Sequence, residues 1–315
     1  MIRSLVFAFL STLSVVSIAQ ENGTSAAKRR YLNEVFDTTK FTGDIVFSEK
    51  MNDRGNKKEK LKLRIFEPAG DSERKRPLFL LTPGGGFVVT DETWMNEFAE
   101  EIAKAGYVVA LNTYRLSSDI NTPESYLNAL AKAVEDQKAA LAYLLKNAEN
   151  ENRFGIDPTA VFIGGHSAGA ITSMHTAYLD ADDPLEVQMA DIFRKRNLLP
   201  DPESPSPLKG VINLSGLLTN LAIIDRKDVP LLSLHGDGDT VIHVDKDQNI
   251  FGAIAIHAYA DIVETQNEIY VIKGALHNDT SISPVCEECI PLIKRFMFNQ
   301  LQKASLPQKG TERMP

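Results

Sequence analysis

Cysteine is nearly absent from this chain: its 315 residues include only Cys286 and Cys289. Two thiols so close together cannot staple a chain of this length, so a packed apolar core must hold it. No histidine-rich or further cysteine cluster accompanies the pair, and a zinc site is not expected. Basic surface is also scarce. The formal net charge is −8, and the one basic cluster, Lys28-Arg29-Arg30, lies in a polar N-terminal stretch. A nucleic-acid partner is not expected, because such a partner is met by a basic patch. Beyond the N-terminus no apolar run is long enough to span a bilayer. No internal repeat and no second domain are visible.

The first residues are different. Arg3, the apolar run from Leu5 to Leu10, and the small residues Ser17-Ile18-Ala19 before Gln20 make residues 1–19 read as a signal peptide cleaved after Ala19. The expected mature protein is secreted or periplasmic and has no membrane span. Residues 20–40 form a polar lead-in, 41–303 one α/β domain, and 304–315 a flexible tail. Asn22, Asn213 and Asn278 stand in N-x-[ST] patterns. Asn213 falls in an expected buried strand and Asn278 beside the expected site, which argues against their use.

Short runs rich in Val, Ile and Leu recur at 44–48, 61–66, 78–82, 107–112, 161–163, 210–214, 230–234 and 268–272. Continuous runs of this kind suit strands covered on both faces. Helical patterns alternate with them. Trp94, Phe98 and Ile102 repeat behind Thr90 and Asp91. A long helix follows Pro123, and others are expected over 245–258 and 284–301. The alternation predicts a mostly parallel, eight-stranded twisted sheet with helices on both faces. Residues 180–207, acidic and then proline-rich, read as an excursion over the active-site face, helical around 185–195; a surface loop without a binding role is the other reading.

Gly165-His166-Ser167-Ala168-Gly169-Ala170 follows the run at 161–163 and leads into a helical segment. A serine between small residues at a strand-to-helix turn has the form of a nucleophile elbow. Serine needs a base within hydrogen-bond reach, and the base needs a carboxylate to fix its tautomer. His235-Gly236-Asp237-Gly238-Asp239 follows a strand and offers Asp239 as the acid, with Asp237 as the rival and His235 as a structural turn residue. His277 follows the last strand and is the expected base. His175 and His257 fall inside helical patterns, His243 comes too soon after Asp239, and His166 is expected to point elsewhere. Acyl transfer also needs backbone donors for the developing oxyanion. Thr82-Pro83-Gly84-Gly85-Gly86-Phe87 supplies them, and Gly85, Gly86 and Ala168 are the expected oxyanion hole. The glycine run forms neither phosphate-binding pattern, G-x-G-x-x-G or G-x-x-x-x-G-K-[ST].

On these residues the chain resembles the α/β-hydrolase superfamily over residues 41–303. It is most similar to carboxylesterases of the branch with hormone-sensitive-lipase-like and feruloyl- or acetylxylan-esterase-like enzymes. Asn112-Thr113-Tyr114-Arg115-Leu116 looks like a segment that often follows the fourth strand there. The resemblance implies a serine hydrolase that cleaves carboxylic esters without a cofactor or metal. The substrate is expected to be a small-molecule, polysaccharide-linked or polymeric ester. A serine peptidase of the same superfamily and a non-catalytic binding protein on the fold are the alternatives. Pro83 stands where that superfamily usually has histidine, which leaves the anchoring of the oxyanion loop open. No helical cap is visible before that loop, so an open site is expected. Cys286 and Cys289 have redox-motif spacing, but a local disulfide steadying the His277 loop is expected; free thiols and redox chemistry are the alternatives.

Overall fold

Continuous apolar strands and amphipathic helices assemble as a layered α/β structure in the computed structural model, which describes residues 29–281 and 286–304. The expected signal peptide, the Asn22 pattern, and residues 283, 284 and 305–315 lie outside the described residues. Among the described residues no helix is long and apolar enough to cross a membrane.

The sheet has eight strands: β1 (Thr39–Met51), β2 (Lys58–Pro68), β3 (Arg76–Thr82), β4 (Val108–Asn112), β5 (Ile156–His166), β6 (Leu208–Leu214), β7 (Leu231–Gly236) and β10 (Asn267–Ile272). Their spatial order is β1-β2-β4-β3-β5-β6-β7-β10. β1 and β2 are antiparallel, β2 and β4 likewise, and every pair from β4 to β10 is parallel. Each of the eight predicted runs coincides with one of these strands, with Tyr107 and Pro230 just ahead of β4 and β7. β3, β4 and β7 are buried at every position, so alternation is lost and both faces are apolar.

Helices cover both faces. On one side Leu78, Leu80 and Ile163 pack with α2 (Pro123–Glu149) and α3 (Ala168–Tyr178) through Leu130, Val134 and Met174. On the other, Phe79, Leu81 and Phe162 meet α1 (Asn96–Ala103) and α6 (Cys289–Ala304) through Phe98, Ile102, Ile293 and Phe296. Adjacent strand residues point to opposite faces, so neighbours such as Phe79 and Leu80 feed different cores. α2 starts where Pro123 predicts, with Thr122 as its cap. Asp91 caps a 3₁₀ turn, Glu92–Met95, that leads into α1.

Three elements differ from expectation. The helix expected over 245–258 starts only at Ala253 and runs to Ile262 as α5. Before it, β8 (Lys246–Asp247) and β9 (Ile250–Phe251) form a small hairpin. Residues 245–248 are polar and offer no apolar stripe. Gln248 turns the chain at φ 55. The last helix begins at Cys289 and reaches Ala304.

The third difference is the 180–207 excursion. It holds a short helix, α4 (Val187–Lys195), as expected, but none of its residues lines the site cleft. It fills the gap between the end of α3 and the start of β6, at the amino ends of the strands. There Val161 donates to the carbonyl of Pro207, and Lys138 of α2 donates to Leu198. The physical reason is the apolar face of α4: Met189 and Phe193 join the α2 side of the core.

Candidate active site

β5 ends at His166 and α3 begins at Ala168, leaving Ser167 at the apex with φ 52 and ψ −121. The small residues are required by the neighbouring strand. A Cβ on Gly165 would lie 2.3 Å from the carbonyl oxygen of Thr82, and one on Gly169 1.9 Å from it. The Ser167 N–H donates to the carbonyl of Leu214 at 2.9 Å, which ties the strained turn to β6.

His277 lies on the loop after β10, and its two ring nitrogens face different partners. Nδ1 is 2.7 Å from Oδ2 of Asp239, and Nε2 is 2.9 Å from Oγ of Ser167. A carboxylate only accepts, so Nδ1 carries the proton and Nε2 presents its lone pair to the hydroxyl. Asp239 sits in the turn after β7. Its other oxygen accepts from the N–H groups of Val241 (2.8 Å) and Ile242 (2.9 Å). Burial acts to raise this carboxyl, but the bonds from His277 and the two amides outweigh it and hold Asp239 below the usual range. Asp237 turns the other way and accepts from the N–H of Gly274.

The remaining histidines separate clearly. His235, expected as a structural residue, is fully buried in β7. It donates from Nε2 to the carbonyl of Ile242, and the same nitrogen lies 3.2 Å from Asp239 Oδ2. Burial lowers its pKa, so it stays neutral beside the acid. His175 and His257 are buried packing residues within α3 and α5, and His243 is exposed. His166 corrects the expectation. Its ring packs against His277, with centroids 4.9 Å apart, and against Trp94 at 5.2 Å.

The glycine loop after β3 forms the opposite wall. Gly85 (φ 120) and Gly86 (φ 59) take backbone angles that favour glycine, and a Cβ on Gly85 would lie 1.7 Å from the Val89 carbonyl. Gly84 rests directly against the elbow: a Cβ there would meet Ser167 Cβ at 3.1 Å. The N–H groups of Gly85, Gly86 and Ala168 have no hydrogen-bond partner among the described residues. That of Ala168 also opens α3, where amides are unpaired by helix geometry and the dipole favours negative charge. The anchor that Pro83 left open comes from elsewhere. Tyr114 donates its hydroxyl to the Gly84 carbonyl at 3.2 Å, and the Ser117 N–H donates to Phe87 at 2.8 Å. Arg115, paired with the buried Asp136 on α2, holds this segment in place.

Ser167, His277 and the glycine loop open into a cleft of about 540 Å³ whose walls include Val89, Trp94 and Val241. Val89 and Val241 are largely exposed at the rim. Cys286 and Cys289 are joined in a disulfide at the start of α6, with Cα atoms 5.4 Å apart, and both are buried in the core beneath it. Asn213 is fully buried and donates to Ser233, out of reach of glycosylation. No pattern in the sequence brought Tyr114, Trp94 or the His166 ring to the site.

Several known proteins are similar to this chain in sequence or in fold. The BD-FAE family model matches residues 63–218. An AB hydrolase superfamily protein of Schizosaccharomyces pombe is 35% identical over 108 residues, 34% of this chain and 28% of that protein. Human carboxylesterase 5A is 35% identical over 123 residues, 36% of this chain and 19% of that protein. The matched part of the chain thus spans less than a third of either relative. Among solved structures, esterase 2 of Thermogutta terrifontis with bound propionate superposes with a TM-score of 0.59 at 19% identity, covering 85% of this chain and 96% of that one. The same esterase phosphonylated by cyclosarin gives 0.58 at 18% identity, over 81% and 93%.

Proposed function

We propose that this chain, an α/β-hydrolase by fold, is a serine hydrolase that cleaves carboxylic esters through an acyl-enzyme on Ser167. One observation carries the reading: the unbroken hydrogen-bonded line from Asp239 through His277 to Ser167. In this scheme Ser167 Oγ attacks the ester carbonyl while His277 Nε2 takes its proton. Asp239 stabilises the resulting imidazolium and keeps the ring oriented. The N–H groups of Gly85, Gly86 and Ala168 receive the charge on the carbonyl oxygen. His277 passes its proton to the leaving alcohol, the alcohol departs, and water activated by the same ring clears the acyl group.

The esterase and carboxylesterase names of the similar proteins favour an ester over an amide substrate. The open cleft, with Val89 and Val241 at its rim, suits an ester held on a larger molecule as well as a free one. The Cys286–Cys289 disulfide supports action in an oxidising compartment, in keeping with the N-terminal signal pattern.

The test is turnover of 4-nitrophenyl acetate, side by side with the corresponding anilide, by wild type and Ser167→Ala. The reading expects ester turnover in wild type, little on the anilide, and loss of turnover in the variant at an unchanged melting temperature. Faster cleavage of the anilide favours a peptidase. A variant that keeps most of its activity overturns the scheme.

A further inference from the structure

His166 is covalently next to the nucleophile, only 2% exposed, and unused by the scheme above. Its Nε2 lies 2.8 Å from the main-chain carbonyl oxygen of His277. A carbonyl can only accept, so Nε2 carries the proton and Nδ1 the lone pair. Nδ1 is buried with no hydrogen-bond partner, and a Cβ on Gly84 would approach it to 2.7 Å. The ring is therefore wedged between the glycine loop, Trp94 and His277, with its single donor committed to the His277 backbone.

Among the described residues, other backbone ties hold the loop on either side of His277. Gly238 donates to the carbonyl of Ala275, Leu276 donates to the Asp279 carboxylate, and the hydroxyls of Ser215 and Thr280 pair. The bond from His166 reaches the backbone of residue 277 itself from the end of the nucleophile strand. Any small movement of the elbow then carries the imidazole with it. Charge matters as well. Burial pushes His166 down to about 4, so its ring is neutral near neutral pH. A cation 4.9 Å from the His277 ring would oppose formation of the imidazolium.

We propose that His166 is a positioning residue: on the reading of Ser167 and His277 as nucleophile and base, its Nε2–H grips the His277 carbonyl and registers the base against the nucleophile. The side-chain nitrogen of glutamine reaches as far as histidine Nε2, whereas that of asparagine reaches only as far as Nδ1. His166→Gln therefore keeps a donor at the carbonyl, and His166→Asn does not.

The experiment measures kcat and KM on 4-nitrophenyl acetate for wild type, Ser167→Ala, His166→Gln, His166→Asn and His166→Phe. The phenylalanine variant keeps a ring against Trp94 without a donor, and it replaces the asparagine variant if that one does not fold. Asparagine and phenylalanine are expected to lower kcat by up to about 100-fold with KM little changed, the scale of a misplaced catalytic group. Glutamine is expected to recover most of the loss. Wild-type kcat in the donor-less variants, or equal losses in all three, overturns the proposal. Retained turnover in Ser167→Ala instead overturns the reading of the nucleophile. A second readout needs no turnover: the downfield NMR proton on His277 Nδ1 should stay sharp in His166→Gln and broaden by solvent exchange in His166→Phe. An unchanged resonance in the phenylalanine variant also overturns the proposal.

Discussion

Tyr114 donates its hydroxyl to the main-chain carbonyl of Gly84 at 3.2 Å, and so holds the glycine loop from the end of β4. This bond takes over an anchoring task that a proline at position 83 cannot perform, since proline has no N–H and a fixed φ. Tyr114→Phe removes the donor and leaves a buried carbonyl unsatisfied, at a cost of about 1–3 kcal/mol. The expected result is a lowered melting temperature together with a fall in kcat larger than any change in KM. A variant with wild-type kcat would detach Tyr114 from the loop's function.

Asp239 and Asp237 make a matched pair for substitution. Asp239→Asn keeps the shape of the side chain but disrupts the tautomer of His277, and turnover should fall on the order of 10⁴-fold. Asp237→Asn retains an oxygen for the Gly274 amide and should leave ester turnover close to wild type. Initial rates on one nitrophenyl ester separate the two, and comparable losses would contradict the assignment of the acid.

Gly85→Ala should disable the site. The added Cβ would sit 1.7 Å from the Val89 carbonyl at a φ of 120, so the loop must shift and its two amides with it. Removing even one oxyanion donor typically costs about 10²–10³ in turnover. Gly55→Ala is the control, because its φ of 66 carries the same kind of strain with nothing within 4 Å. It should cost roughly 1–2 kcal/mol of stability and no activity. Thermal melts run beside initial rates check both.

Asp228 gives a prediction for stability against pH. Burial first, and then the nearby Asp225, Asp183 and Asp180, push it up to about 8, against an amide bond from Asp225 that lowers it. In the unfolded chain an aspartate ionises near about 3.9. Between those values the folded protein binds the extra proton, so this group destabilises the fold progressively as pH rises toward 8. Asp228→Asn removes the titration and can still accept from the Asp225 N–H. The gain in melting temperature over wild type should grow from pH 5 to pH 8 and then level off. A gain independent of pH would show that Asp228 is ionised throughout.

Ser167, Asp239 and His277 were legible in the sequence because each follows an apolar strand, and parallel strands deliver all three to one edge of the sheet. The eight strands were legible for the same reason, as short apolar runs between polar turns. The contacts of Tyr114 and His166 were not. Each depends on a bond to a backbone carbonyl supplied by another loop: Gly84 and His277 respectively. No pattern along the chain specifies where such a side chain points. The 180–207 segment was misplaced because its acidic and proline-rich composition marks a loop without saying which edge of the sheet it crosses. The spacing of Met189 and Phe193, four residues apart on α4, was the available sign that it packs on the core.

Ser167 is the proposed reactive hydroxyl, and covalent capture tests that most directly. The full chain is treated with a fluorophosphonate ester, and its intact mass and peptide masses are measured. A single adduct on the peptide that carries Ser167, absent from Ser167→Ala and strongly slowed in Asp239→Asn, is the predicted result. No adduct on the wild-type protein, or an adduct on a different residue, would contradict it.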